Sequence, residues 1–252
     1  MTPVIEEAYE RLAQDLDIIS YRNTLLLGKE KWKETKPIIG VQTSGGTDSS
    51  MAMYLICDYI KTNNLDWEVQ PIHGWDTKRV NCYTPEVMQS IVDYIQSRFP
   101  DVVINPTAVY VYHKLDHEKK SKYTQPWLQY LYREGKIHCS FSGGTLEPTD
   151  VPELAYEKEG EPEMRTLDWY KKKRDLTNAV GSTNRSFDLW YCYDKSFIAQ
   201  LMKDYDCLDM FPLTVSCVRD KGHACEECWW CKEKYWAFGA YDGGTPWADS
   251  ET

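Results

Sequence analysis

The sequence predicts an α/β protein built on a doubly wound parallel sheet, followed by a C-terminal four-cysteine zinc knuckle. Short β-prone runs alternate with longer runs of helical periodicity, which is the pattern of a parallel sheet covered by helices on both faces. Two of the β-prone runs end in paired glycines, at residues 45–46 and 143–144. Four of the nine cysteines lie within residues 217–231. Such crowding in a long chain with an odd number of cysteines favours a metal site over disulfides.

The individual elements follow from hydrophobic periodicity and from helix start signals. The β-prone runs lie at residues 37–43, 67–73, 102–104, 109–111 and 137–141. The runs of helical spacing lie at residues 5–19, 49–60, 85–98, 127–132 and 196–205. The helix at residue 85 begins with proline, which suits the first helical turn because its missing N–H is not needed there.

A polar segment interrupts this alternation between residues 147 and 182. It carries runs of charged residues and little periodicity. Long segments without regular structure inside a compact domain are commonly functional loops. We therefore expect a surface excursion that acts as a lid.

The composition narrows the class of protein and its partners. With 252 residues and 42% hydrophobic composition, the chain can bury one substantial core with a small appendage. The formal net charge of −10 argues against duplex DNA or tRNA as the main partner, since phosphate backbones are bound chiefly by Lys and Arg. No apolar run reaches the roughly 20 residues of a membrane span, and the N-terminus lacks the order of a signal peptide. We expect a cytoplasmic protein with a small-molecule substrate.

The segment from Ser44 to Ser49, which reads Ser-Gly-Gly-Thr-Asp-Ser, has the properties of a phosphate-binding loop. Its two glycines let the backbone turn sharply and bring N–H groups against an anion. The serine hydroxyls can add donors, and the following helix directs its positive end at the same anion. Asp48 can hold a magnesium ion. The simpler alternative is an ordinary turn in which Asp48 or Ser49 caps the helix.

The loop lacks the marks of two better-known nucleotide sites. There is no G-x-x-x-x-G-K motif of the P-loop and no G-x-G-x-x-G motif of dinucleotide-binding folds. Instead, residues 44–49 resemble the SGGxDS signature of the PP-loop ATP pyrophosphatases, which belong to the adenine nucleotide alpha hydrolase-like superfamily. The resemblance implies a Rossmann-like fold. It also implies an enzyme that cleaves ATP between its α- and β-phosphates and leaves AMP on an acceptor.

The same resemblance implies a set of residues around ATP. The set comprises Val41, Thr43, Ser44, Gly45, Gly46, Thr47, Asp48, Ser49, Asp76, Gly143, Gly144 and Thr145. Ser44, Asp48 and Ser49 are the expected catalytic residues, and residues 143–145 match the family's second glycine turn. For Asp76, a solvated loop acid is an equally good interpretation.

The cysteine cluster reads C-x7-C-x2-C-x2-C from Cys217 through Cys225 and Cys228 to Cys231. Two overlapping knuckles supply three thiolates, and Cys217 closes the site from the preceding strand. Four thiolates leave no position for water on a tetrahedral zinc ion, so the metal would be structural. An iron–sulfur cluster and thiol redox chemistry are the alternatives. His223, in the same loop, could replace one sulfur ligand.

The C-terminal region resembles 7-cyano-7-deazaguanine synthase. The resemblance rests on the T-x-S-C run that ends at Cys217, on the cysteine spacing, on Lys232 and Lys234, and on the helical run that begins near Asp194. It implies that ATP adenylates the carboxylate of 7-carboxy-7-deazaguanine. Ammonia then gives the amide, and a second adenylation permits dehydration to the nitrile. A divergent relative encoded by a phage fits as well, and the host cytoplasm would then be its location.

These interpretations divide the chain at residue 213. Residues 1–212 would form the PP-loop nucleotide-binding domain, and residues 213–252 the zinc-binding extension. The expected cofactors are ATP, Mg²⁺ and Zn²⁺, and the expected partners are a small carboxylate and ammonia, with a homodimer left open. Two other functions remain in view: a PP-loop sulfurtransferase that thiolates tRNA, and a nucleotide-binding module without turnover.

Overall fold

The strands of the protein build a parallel sheet. The computed structural model describes residues 1–78, 84–113, 121–148, 150–151, 154, 166–171, 185–219 and 224–247. Its strands are β1 (Ile38–Gln42), β2 (Glu68–Asp76), β3 (Val103–Ile104), β4 (Ala108–Tyr112), β5 (Cys139–Ser142) and β6 (Ser186–Asp188). All strand pairs are parallel. The predicted β-prone runs at 37–43, 67–73, 102–104, 109–111 and 137–141 are therefore confirmed.

The order of the strands is β3-β2-β1-β5-β6, with β4 also paired to β2. β3 pairs with the start of β2 and β4 with its end, so these two strands form one interrupted edge. The strand order reverses between β1 and β5. In open α/β sheets, ligands bind beyond the carboxyl ends of the strands at such a switch point. The topology therefore predicts a ligand site at the loops that follow β1 and β5.

Three of the helices begin at residues whose side chains cap them. The helices are α1 (Pro3–Leu27), α2 (Lys29–Glu34), α3 (Thr47–Thr62), α4 (Pro85–Arg98), α5 (Ser121–Arg133), α6 (Lys195–Asp204) and α7 (Trp229–Phe238). Thr2 and Thr84 cap α1 and α4 with their hydroxyls, each followed by proline, and Asp194 caps α6 with its carboxylate. Side-chain oxygens at these positions satisfy N–H groups that have no partner within the helix.

Helices cover both faces of the sheet, which confirms the doubly wound α/β fold. On one face, Ile39, Val41 and Phe141 pack into the main core with α1, α3, α4, α6 and the end of α7. On the other face, Leu128 of α5 packs in a smaller core that contains Ile72. Neighbouring residues of β1 divide between the two cores, with Ile39 in the larger and Ile38 against the smaller, because successive side chains of a strand point to opposite faces.

The helix predicted at residues 127–132 is longer than expected. It begins at Ser121 and contains Pro126 in its second turn. Proline in a helix usually marks a boundary because it removes one backbone hydrogen bond. Here Pro126 is exposed, while Leu128 and Leu131 are buried against the sheet. We attribute the tolerance of Pro126 to the burial of Leu128 and Leu131, which offsets the free energy of the lost hydrogen bond.

The segment before the first clustered cysteine is not the strand that was predicted at residues 213–217. Leu213 ends a 3₁₀ helix (Leu208–Leu213), and the following residues pair with no strand among the described residues. The Val215 N–H donates to the Gly45 carbonyl oxygen at 2.9 Å. The next amides donate to the Asp242 carboxylate. Isolated hydrogen bonds to Gly45 and Asp242 therefore hold this segment in place, and it has no ladder of hydrogen bonds to a described strand.

Much of the expected lid at residues 147–182 lies outside the described residues. The described parts of that segment are attached to the protein. Leu154 is buried and its carbonyl oxygen accepts from Trp229 Nε1 at 2.9 Å. Tyr170 is buried as well, and its hydroxyl donates to the Thr145 carbonyl oxygen at 3.2 Å.

The described helices include none with both the length and the apolar content that crossing a bilayer requires. The longest, α1, has charged residues along its length and buries one side in the main core.

Replacing Leu12 by alanine tests the packing of α1 on the sheet. The Leu12 side chain is 1% exposed, so its truncation removes apolar contacts and leaves a cavity. We expect a loss of about 2–5 kcal/mol in the free energy of unfolding, measured by urea denaturation. Leu26→Ala on the same helix is the matched control, because Leu26 is 47% exposed. Equal effects of the two substitutions would contradict this packing.

Candidate nucleotide site and metal centre

The predicted phosphate loop follows β1 at the switch point of the sheet. Gly45 has φ +90°, a left-handed conformation that favours glycine. The Ser44 N–H donates to Ser49 Oγ at 3.1 Å, and the Ser44 and Ser49 hydroxyls lie 3.2 Å apart. Ser49 Oγ also donates to the Gly46 carbonyl oxygen at 3.1 Å. These bonds hold the loop in a tight turn around the start of α3.

The start of α3 can receive an anion. Gly46 is the N-cap of this 16-residue helix, and no side chain caps it there. The first N–H groups of a helix lack partners within it and carry the positive end of the helix dipole. A phosphate at this position would accept hydrogen bonds from them. The loop thus has the tight turn and the open helix start on which the prediction depends, while phosphate binding itself stays a prediction.

The second glycine turn packs directly on the phosphate loop. A Cβ atom on Gly143 would lie 2.5 Å from the Ser49 nitrogen and 2.5 Å from the Asp48 carbonyl carbon. Glycine alone permits this approach between two backbones. One residue further on, a Cβ atom on Gly144 would lie 2.7 Å from the Tyr170 hydroxyl. Thr145 Oγ1 donates to Asp48 Oδ2 at 3.3 Å. The structure thus brings residues 143–145 to the loop after β1.

Asp48 takes part in a buried ion-pair group that was not predicted. Lys195 Nζ lies 3.1 Å from each Asp48 carboxylate oxygen and 3.0 Å from Glu233 Oε2. The side chains of Asp48, Lys195 and Glu233 are 17%, 5% and 1% exposed. Burial alone would lower the pKa of Lys195, but the two carboxylates outweigh it and raise its pKa. The ammonium form is therefore retained beside the loop.

One sequence signal could have identified Lys195. It is the first residue of α6, directly after the Asp194 cap. The helix dipole disfavours a cation at that end, so a lysine there indicates a specific partner. Glu233 offered no comparable signal, because a glutamate two residues after Cys231 is unremarkable in sequence.

The remaining predicted residues lie at the same edge but have other contacts. The Val41 side chain is fully buried in the core, so only its backbone can approach a ligand. The buried Thr43 hydroxyl donates to the Ile72 carbonyl oxygen at 3.2 Å. Thr47 Oγ1 donates to Asp48 Oδ1 at 3.1 Å. Asp76 ends β2, where its Oδ1 accepts from the Lys78 N–H at 3.1 Å.

The four predicted cysteines converge on one point. The Sγ atoms of Cys217, Cys225, Cys228 and Cys231 all lie within 4.8 Å of one another, and those of Cys225 and Cys231 are 3.9 Å apart. A tetrahedral ion with metal–sulfur bonds of about 2.3 Å requires sulfur atoms about 3.8 Å apart. A polynuclear iron–sulfur cluster would separate its thiolates further, because they bind different irons. The donor set therefore fits a single ion. His223 lies outside the described residues.

The segment before Cys217 connects the four-cysteine cluster to the phosphate loop. The Cys217 N–H donates to the Asp242 carboxylate at 2.9 Å, and Asp242 also pairs with Lys234 Nζ at 2.7 Å. Lys234 is fully buried, and this burial lowers its pKa to about 8 although Asp242 acts in the opposite direction. Two residues before Cys217, the Val215 N–H donates to Gly45. The two predicted sites are thus neighbours in space.

Comparison with known proteins gives limited information. No family model matches the sequence, and no curated protein matches it. Among solved structures, the chain is similar to the U34-tRNA thiolase NcsA from Methanococcus maripaludis with its 4Fe-4S cluster. The identity is 12% and the TM-score 0.45, over 88% of this chain and 71% of that one. The function of this chain is therefore inferred from its own site geometry.

Replacing Gly143 by alanine tests the contact between the two glycine turns. The new Cβ would overlap the backbone of α3, so we expect a loss of about 1–3 kcal/mol in the free energy of unfolding. Gly46→Ala is the matched control, because its Cβ would meet the nearest atoms at 3.5 Å and its φ is −86°. Urea denaturation measures both. A Gly143→Ala protein as stable as the control would show that the turns do not pack as described.

Replacing Cys228 by serine tests the metal centre. We expect the purified wild-type protein to hold one zinc ion per chain, and the variant to lose most of it and to unfold at lower temperature. Cys192→Ser is the control, since Cys192 is a free cysteine outside the cluster. Elemental mass spectrometry measures the metal. Several iron atoms per chain, with sulfide, in place of one zinc ion would contradict the single-ion assignment.

Proposed function

We propose that this protein is an ATP-dependent ligase of the PP-loop type, which adenylates a small carboxylate and releases pyrophosphate. One observation carries the proposal: the loop after β1, the turn after β5 and the Asp48–Lys195 pair meet at the switch point of the sheet. The N-terminus of α3 can bind an anion, and the Asp48–Lys195 ion pair lies beside it. Together these groups suit a nucleotide with Mg²⁺.

In this proposal, the protein's own groups bind and stabilise the departing pyrophosphate. The N–H groups at the start of α3 hold its oxygens, and the Lys195 ammonium balances the charge that develops on them. The Asp48 carboxylate fits Mg²⁺, because it offers hard oxygen ligands and is the most exposed member of its ion-pair group. Mg²⁺, when bound, would neutralise phosphate charge. Thr47 and Thr145 fix the orientation of Asp48.

The reaction proceeds by two displacements. An oxygen of the substrate carboxylate attacks the α-phosphorus, and the bond from that phosphorus to the bridging oxygen breaks, so that pyrophosphate leaves with the electron pair. Ammonia then attacks the acyl carbon of the adenylate, loses a proton and displaces AMP. The site contributes chiefly by holding carboxylate and α-phosphorus in line.

The specific acceptor that we propose is a 7-carboxy-7-deazaguanine-type carboxylate. It is supported by the T-x-S-C run, the cysteine spacing and the Asp194–Lys195 helix start. Two of these contact the phosphate loop, the first through Val215 and Gly45 and the last through Lys195 and Asp48. Four thiolates complete a tetrahedral ion and leave no open position for substrate or water. The zinc ion would therefore support the fold and take no part in the displacement.

A tRNA sulfurtransferase is the main competing function. Its chemistry would begin with the same adenylation, so the phosphate loop does not separate the two. The short sulfur–sulfur distances favour a single structural ion over an iron–sulfur cluster. The net charge of −10 disfavours a large polyanionic substrate.

Incubation with ATP, Mg²⁺, ammonium and 7-carboxy-7-deazaguanine tests the proposal. We expect AMP, pyrophosphate and the amide or nitrile, detected by mass spectrometry. Asp48→Asn keeps the shape of the side chain but removes its charge, and should lower turnover by about a hundredfold or more. Asp101→Asn, on an exposed turn, should leave turnover unchanged. If the protein binds ATP but releases no pyrophosphate with any of a panel of carboxylates or with tRNA, it is a binding module and not a ligase.

A further inference from the structure

Glu233 is the most buried member of the ion-pair group beside the phosphate loop. Its side chain is 1% exposed, and its Oε2 lies 3.0 Å from Lys195 Nζ. The same ammonium lies 3.1 Å from both oxygens of Asp48. Lys195 therefore lies between the partly exposed carboxylate of Asp48 and the buried carboxylate of Glu233.

A carboxylate in the interior is costly unless it is paired. Glu233 is held in place by α7, which starts at the thiolate cluster: Cys228 is the N-cap and Cys231 lies in the first turn. The next residue, Lys234, is buried as well and pairs with Asp242. The position of Glu233 thus depends on an element that the cysteine centre fixes, and not on the phosphate loop itself.

We propose that Glu233 is a positioning residue that shares the Lys195 ammonium with Asp48 and so leaves the Asp48 carboxylate able to bind a divalent cation. The inference rests on the proposed function, in which Asp48 receives Mg²⁺. It deepens that function by assigning a role to a residue that touches neither nucleotide nor metal.

The physical reason is the balance of charge. Two carboxylates around one ammonium leave a net negative charge, and Asp48 is the member that solvent can reach. Without Glu233, Lys195 and Asp48 would form a neutral pair, and a cation would have to compete with the ammonium for the same oxygens. Lys234, the neighbour of Glu233 on α7, is itself paired with Asp242.

A double-mutant cycle in urea tests the pairing without any nucleotide. Lys195→Met removes the ammonium that lies 3.0 Å from the buried Glu233 carboxylate, so we expect a marked fall in the urea midpoint. Adding Glu233→Gln removes the buried charge that has lost this ammonium and should restore part of that loss. Coupling between neighbours of this kind is what such a cycle measures. If the two substitutions are additive, Glu233 does not hold Lys195 and the proposal is overturned.

The second test measures the Mg²⁺ needed to bind α,β-methylene-ATP, an analogue that cannot be cleaved at the bond in question. In Glu233→Gln we expect the half-saturating Mg²⁺ concentration to rise about tenfold. In the Lys195→Met background, adding Glu233→Gln should cause little further change, because Glu233 acts through Lys195. Lys232→Gln is the matched control, since it removes a charge from an exposed position of the same helix.

The outcomes separate this inference from the proposed function. An unchanged Mg²⁺ requirement in a stable Glu233→Gln protein overturns the inference and leaves the ATP site standing. An equal rise in Lys232→Gln overturns it too, because the effect would then be one of general charge. If the wild-type protein binds no analogue, the proposed function fails, and the cycle in urea alone decides whether Glu233 holds Lys195.

Discussion

The buried ammonium of Lys195 joins three parts of the protein that are distant in the chain. It begins α6, reaches Asp48 in the first turn of α3 and contacts Glu233 on α7. Each of these charges would be costly in the interior without the others. The group therefore constrains how the three helices meet, and it does so at the edge where the sheet topology directs a ligand. The arrangement of charges beside the phosphate loop follows from how these three helices meet.

A second constraint is the space between the two glycine turns. Gly143 allows the loop after β5 to touch the backbone at the start of α3. Any larger residue would push this loop away, and Thr145 would then lose its contact with Asp48. Asp48 is therefore constrained in two ways. The close packing at Gly143 fixes its position, and Lys195 pairs with its charge.

The cysteine centre acts at a distance from the crevice. It ties the chain before Cys217 to the start of α7, and both of these elements continue to the phosphate loop. The first reaches it through Val215 and Gly45, and the second through Glu233 and Lys195. In the proposed function, a structural metal at this place would support the nucleotide site without contacting it, since it would fix the elements that position the contacting groups.

The sequence by itself determined the class of sheet, the loop after β1 and the four-cysteine centre. These features depend on local patterns: alternating periodicities for the strands and helices, paired glycines for a tight turn, and short spacing for the thiolates. Only the tertiary structure decided that Lys195, 147 residues from Asp48, pairs with it and that Glu233 contacts the same ammonium. It also decided that residues 213–217 form single contacts and not a strand. Partners so remote in the chain leave no periodic trace, because their pairing arises from the packing of whole helices.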